Sequence, residues 1–397
     1  MKVAITGMGI ISAIGNTVDE NFDALVSGRK AITDIENIAT VHAEAIKVGE
    51  IKKTNDELAA ELNLPGDHNY SRTAMLGAIA ALQAVRNAGI DDINAYRTGL
   101  VSATSVGGMD TTEQHYYDYF KDDNLIRFIS AHDGGDVAQK IAGTIGLKGF
   151  VTTISTACSS AANSIMLGAR LINAGKLDRV IVGGTDALAK FTINGFKTLM
   201  ILTDGYNTPF DDNRKGLNLG EAAAFLVLES DKVVREQNKK VLAYVSGFGN
   251  ANDAFHQTAS SENGEGAFLA MEKAFQRAGL QPSDIDYINM HGTATPNNDL
   301  SEGRAVIRIF GAQNVPDFSS TKAFTGHTLA AAAAIEAVYS VLAIQNGVVF
   351  PNLNFKVAMR EFDLIPQTTL KRKNIDHVLS NSFGFGGNCS TVIFSKN

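Results

Sequence analysis

Short apolar runs alternate with longer mixed stretches along the chain. VAIT (3–6), GLVSAT (99–104), VTTIST (151–156), RVIVGGT (179–185) and AFLVLE (224–229) are brief and largely apolar, which predicts buried strands. Helices are predicted over 72–88, 158–174, 265–279 and 328–346, the first with Ser71 as its N-cap and Gly89 beyond its end. The alternation is an α/β pattern. It also starts twice. After the charged segment DKVVREQNKK (231–240), VLAYVSGFGNAN repeats the strand and glycine turn of VAITGMGIIS. A helix and the apolar strand DYINMHGTA (286–294) follow, so two duplicated halves are expected, 1–240 and 241–397.

Composition narrows this picture. A hydrophobic content of 45% with only 19% charged residues fits a chain with a large core, buried further in an oligomer. A net charge of −7 and a pI of about 5.7 give no general attraction to nucleic acid. Two cysteines, Cys158 and Cys389, are too few for a disulfide scaffold and suit a reducing compartment. No apolar run approaches the roughly 18 residues of a membrane span, and the start shows no signal-peptide pattern. A soluble, cytoplasmic protein that meets neither membrane nor nucleic acid is expected.

Four segments carry candidate chemistry. In TACSSAANS (156–164), Cys158 sits among small residues at a predicted strand-to-helix turn. A helix N-terminus favours the thiolate, so the thiol is a candidate nucleophile. His291 opens HGTATPNND after a strand, and His327 lies in STKAFTGHTLAAAAAIEA before a helix. Two histidines at such turns in one half, with a cysteine at the equivalent turn of the other, point to catalysis rather than packing. No HxxxH or CxxC spacing supports a metal. The glycines around Phe385 in NSFGFGGNCS permit a backbone N–H to face a cavity. GMGIIS (7–12) lacks the third glycine of a dinucleotide loop and reads as a tight turn instead.

Together and in this order, TACSS, HGTATPNND, STKAFTGH and GFGG resemble the β-ketoacyl-acyl-carrier-protein synthases, in their elongating Cys-His-His branch, over essentially the whole chain. The resemblance implies a thiolase-like fold of two duplicated βαβαβαββ halves in five α-β-α-β-α layers. It implies decarboxylative condensation, with Cys158 accepting the acyl group and His291 and His327 serving malonyl decarboxylation. Lys322 and Glu336 match residues that order the second histidine's surroundings, and Asp299 matches a family Asp. The N–H groups of Cys158 and Phe385 would form an oxyanion hole. Phe385, with Gly384 and Gly386, would gate the site, Thr293 and Thr295 would bind the pantetheine arm, and Val106 and Phe191 would line the acyl pocket. Expected partners are acyl- and malonyl-carrier protein and a second subunit, in a homodimer or with a chain-length factor. The substrates ride on the carrier's phosphopantetheine, so no separate cofactor is implied.

Departures qualify the match. Thr208 stands where the family usually has Arg, Leu217 where it has Phe, Ala222 where it has Gly, and Asn388-Cys389 where Thr-Asn is common. The basic cluster before the first long helix is thin, which leaves carrier docking to Lys52, Lys53, Arg72, Arg127, Arg214 and Lys215. These differences suggest a specialised pathway, such as an aryl polyene or polyketide-like product, rather than bulk fatty acids. Two alternatives stay open: an inactive chain-length factor, disfavoured by the retained Cys158, His291, His327 and Lys322, and a Cys-dependent thioester hydrolase, disfavoured by the narrow setting of Cys158.

Overall fold

Ten of the strands form one continuous ribbon in the computed structural model, which describes residues 2–396. They are β1 (Val3–Ser12), β2 (Thr98–Ala103), β3 (Phe150–Ile154), β4 (Arg179–Asp186), β5 (Ala222–Glu229), β6 (Ala243–Asn252), β7 (Tyr287–Asn289) and β8 (Asp317–Ser319). After a two-residue ladder of β9 (Val348–Val349) with β10 (Lys371–Arg372) come β11 (His377–Gly384) and β12 (Asn388–Ser395). The spatial order is β3-β2-β4-β5-β1-β6-β12-β11-β7-β8. From either end inward, each half therefore runs third, second, fourth, fifth, first. Directions repeat as well: β2 is parallel to β3 and β4, as β7 is to β8 and β11. Likewise β5 runs antiparallel between β4 and β1, as β12 does between β11 and β6. The halves join through three residue pairs, Val3–Val245, Ala4–Tyr244 and Ile5–Ala243.

Two helices, Ser160–Asn173 and Ala332–Asn346, lie against each other and against strands of both halves. Outside them, the Arg72–Asn87 helix covers β1 and β5, and the Glu265–Ala278 helix covers β6 and β12. This is the five-layered, duplicated α/β arrangement. Ser71 caps the Arg72–Asn87 helix through a side-chain bond from the Ala74 N–H.

Three sequence expectations are corrected here. GMGIIS is not a turn: Gly7 and Gly9 lie inside β1. A Cβ on Gly7 would come within 2.5 Å of the Ala84 carbonyl, and one on Gly9 within 2.2 Å of that of Ala80. These glycines flatten the strand so that a helix can sit on it. The second half repeats the device, with Gly247 and Gly249 in β6 facing the Ala274 and Ala270 carbonyls. The strand expected over 286–294 shrinks to Tyr287–Asn289. Third, Leu329–Asn346 does reach 18 residues at a mean hydropathy of 1.4. With 89% of that stretch buried, it is a core helix between the two halves.

Candidate active site

The sequence around Cys158 folds into a sharp elbow between β3 and the Ser160–Asn173 helix. Ala157 takes a left-handed conformation (φ 51°), which costs a non-glycine residue about 1 kcal/mol. The serines hold it in place. Ser160 Oγ accepts from the Thr156 N–H at 2.8 Å and donates to the Ala157 carbonyl at 2.5 Å, while Ser159 Oγ donates to the Thr156 carbonyl at 2.8 Å. The small residues therefore shape the turn as well as leave room around the thiol.

The GFGG segment closes on this elbow. A Cβ on Gly384 would lie 2.8 Å from the Thr156 carbonyl oxygen and 3.1 Å from the Cys158 nitrogen, so only glycine lets β11 approach. Beyond it, Gly386 and Gly387 both adopt φ 77°. The backbone N–H groups of Phe385 and of Cys158 itself draw the Cys158 thiol downward against burial. The Phe385 ring stacks on Phe196 with centroids 5.8 Å apart.

The thiol departs from expectation. The helix starts at Ser160, two residues later, and burial is the largest influence on the thiol. Desolvation pushes the Cys158 thiol up to about 12, with the Lys322 charge pulling the other way. The resting nucleophile is the protonated thiol.

His291 and His327 meet edge to face, their ring centroids 5.4 Å apart. Burial and the Lys322 charge hold both well below the usual imidazole range, so both are neutral at pH 7. Nδ1 of His327 accepts from the Leu329 N–H at 3.1 Å, which fixes its ring proton on Nε2. Lys322 Nζ sits 2.6 Å from Glu336 Oε1 with both side chains almost fully buried. Burial raises the Glu336 carboxyl to about 7 against that attraction.

A cavity of about 280 Å³ joins these groups, lined by Cys158, His291, His327, Thr293, Thr295 and the 383–387 segment. Thr293 and Thr295 share a hydroxyl contact of 2.8 Å. Asp299 lies below, accepting from the Phe210 N–H at 2.8 Å and the Ala294 N–H at 3.1 Å. Cys389 is also in the lining, its thiol raised to about 12 by burial.

Other expected residues lie elsewhere. Phe191 is 64% exposed and lines no part of this cavity. Val106 is buried in an aliphatic cluster and lines a separate depression at β3. Arg72 is not on a docking surface: its guanidinium donates to both Glu221 oxygens, at 2.9 and 2.7 Å, inside the protein. Arg214 is also buried, donating to the Asp211 and Pro296 carbonyls. Lys52 and Lys53 are engaged by Glu50, Glu36 and Glu61, and Arg127 donates to the Asp67 carbonyl at 2.9 Å; Lys52, Arg127 and Lys215 are exposed.

Two carboxylates escaped the sequence reading. Glu302, raised to about 7 by burial, accepts from the His291 and Gly292 N–H groups at 2.8 Å each and so fixes the histidine's backbone. Asp186 accepts from Thr104, Ser105 and Val106 and from the Ala330 N–H, tying the 104–106 turn to the loop that carries His327. Their signal was slight: an acid eleven residues after His291, and one ending an apolar strand. Among the described residues no group of three His, Cys, Asp or Glu could hold a metal ion.

Comparison with known proteins agrees with this architecture. Residues 1–233 match the β-ketoacyl synthase N-terminal domain and residues 242–356 the β-ketoacyl synthase C-terminal domain. The chain is 32% identical to 3-oxoacyl-acyl-carrier-protein synthase 2 of Vibrio cholerae, covering 100% of this chain and 99% of that one. It is 33% identical to the Staphylococcus aureus protein of the same name, covering 100% and 98%. The solved ishigamide ketosynthase/chain length factor superposes with a TM-score of 0.93 at 28% identity over 100% of this chain and 99% of the other. The ketosynthase ApeO in complex with its chain length factor ApeC, from Xenorhabdus doucetiae, gives 0.87 at 29%, covering 100% and 98%. The chain belongs to the β-ketoacyl synthase family.

Proposed function

We propose that this protein catalyses decarboxylative condensation of an acyl thioester with malonyl-carrier protein, giving a β-ketoacyl thioester two carbons longer. The observation that carries it is a buried thiol under two backbone N–H groups, sharing one cavity with two neutral imidazoles. In the first step Cys158 sulfur attacks the acyl carbonyl, its proton leaves with the pantetheine thiol, and the Cys158 and Phe385 N–H groups hold the oxyanion. In the second, malonyl-carrier protein loses CO2 and leaves an enolate on its thioester oxygen. A neutral imidazole can donate to that oxygen, and His327 has its proton on Nε2 for this purpose. The enolate carbon then attacks the acyl-enzyme and expels Cys158, which takes up one proton. Neutral rings suit the step because an imidazolium beside Lys322 would cost Coulomb energy at low dielectric.

The partner proteins follow from the same reading. Both substrates arrive on a carrier protein, and Arg127 and Lys215 are basic side chains still exposed to meet its acidic surface. A second subunit, either another copy or a chain-length factor, fits the unpaired edge of β3, where Phe150 is 44% exposed. The departures at Thr208, Leu217 and Cys389 favour a specialised pathway in the cytoplasm over bulk fatty acid synthesis.

Intact mass spectrometry of the wild type and Cys158→Ala, with acyl-carrier proteins and then malonyl-carrier protein, tests the proposal. An adduct on the wild type alone, followed by CO2 and a longer β-ketoacyl product, is expected. Free acid as the product would make it a hydrolase, and no adduct from any carrier would leave the chain-length-factor reading.

A further inference from the structure

The residues lining the catalytic cavity are of two kinds. Thr293, Thr295, Asn297 and Asn298 are polar, and Phe196, Ile201 and Leu217, with Phe383 and Phe385, are apolar. An amide-bearing pantetheine arm matches the first set, which leaves the second for an alkyl chain. Of Phe196, Ile201 and Leu217, Leu217 is the buried one, at 3% exposed.

Its position is fixed by backbone on both sides. The Leu217 N–H donates to the Ile201 carbonyl at 2.9 Å, and its carbonyl accepts from the Thr203 N–H at 3.0 Å. One residue on, the Asn218 carbonyl accepts from the His327 N–H at 2.7 Å, and the Gly220 N–H donates to the His327 carbonyl at 2.9 Å. Gly216 permits this clamp, since a Cβ there would lie 2.4 Å from the Ile201 carbonyl. The backbone at Leu217 is therefore held at a set point, and the residue belongs both to the cavity lining and to an aliphatic cluster.

That cluster also includes Val106, Leu188, Ile193, Leu219 and Leu329. Val106, within that cluster, also lines the second depression, of about 500 Å³, beside β3. Aliphatic side chains have rotamers through which they can yield to a guest; a flat ring is stiffer. We propose that Leu217 sets how far an acyl chain on Cys158 extends, and that it admits long chains into the aliphatic cluster toward Val106. The inference rests on the condensing function above.

A competition experiment tests it. Equimolar butyryl- and palmitoyl-carrier protein are offered to the wild type, Leu217→Phe and Leu217→Ala, and the ratio of the two adducts on Cys158 is read by intact mass. The ratio does not depend on how much active enzyme each variant yields. Leu217→Phe should move it toward butyryl by about tenfold or more, the discrimination that small changes in an apolar pocket produce. Leu217→Ala should move it toward palmitoyl, and this arm still decides the matter if the Phe variant does not fold. Ratios unchanged from a wild type that loads both chains would overturn the role of Leu217 alone. A wild type that loads neither would overturn the condensing function, and the inference with it.

Discussion

Gly384 is the residue on which the most geometry converges, because the thiol's elbow and the Phe385 N–H meet across its missing side chain. Gly384→Ala should slow acyl transfer to Cys158 by about a hundredfold, the cost of displacing one oxyanion donor. A single-turnover acylation assay checks this, and a variant that acylates at the wild-type rate would remove the donor pair from the mechanism. At this scale the sequence was legible where a residue type is rare. Two cysteines among 397 residues, and His291 and His327 each beside a glycine, could be picked out by eye. Acids are common, so Glu302 and Asp186 did not stand out, although their backbone bonds hold the site's loops. The ionisation state of Cys158 was illegible for another reason: a spacing shows a helix end but not how little water reaches it.

The helices on either side of His327 are joined by one buried ion pair. Lys322 lies in the short Lys322–Thr325 turn of helix, and Glu336 in the Ala332–Asn346 helix. Lys322→Met should cost about 3–5 kcal/mol of stability, because it strands a carboxylate in the core. The loss should be smaller below about pH 6, where Glu336, raised to about 7, takes a proton. The double variant Lys322→Met/Glu336→Leu should recover most of the stability without recovering malonyl decarboxylation. Denaturant unfolding alongside CO2 release separates the two effects, and a double variant as unstable as the single would contradict the ion-pair account. Long elements with clear periodicity, such as Arg72–Asn87 and β4, were readable from the sequence. The glycines of β1 and β6 were not, because a glycine in a turn and one under a helix look alike until the helix is in place.

Across the whole molecule, buried groups of opposite type act against each other as pH changes. His291 and His327 are depressed in the fold, so acid below about 6.5 protonates the unfolded chain first and stability falls with pH. Glu302 and Glu336 are raised to about 7, so they contribute stability at low pH that is lost as pH climbs toward that value. His291→Gln removes one term of the first kind. Relative to wild type, its unfolding free energy should rise less steeply as pH climbs toward about 6.5, by at most about 1.4 kcal/mol per pH unit. Urea titrations across that range measure it, and parallel curves would mean His291 is not buried neutral. The ribbon's two ends differ as well. At one, β8 is only three residues long, and Asp317 there is tied to Lys371 and Lys373. At the other, β3 keeps a free row of backbone groups. If a second subunit adds along β3, as proposed above, the short β8 offers no matching edge at the other end, so assembly should halt at two chains and never grow into a filament.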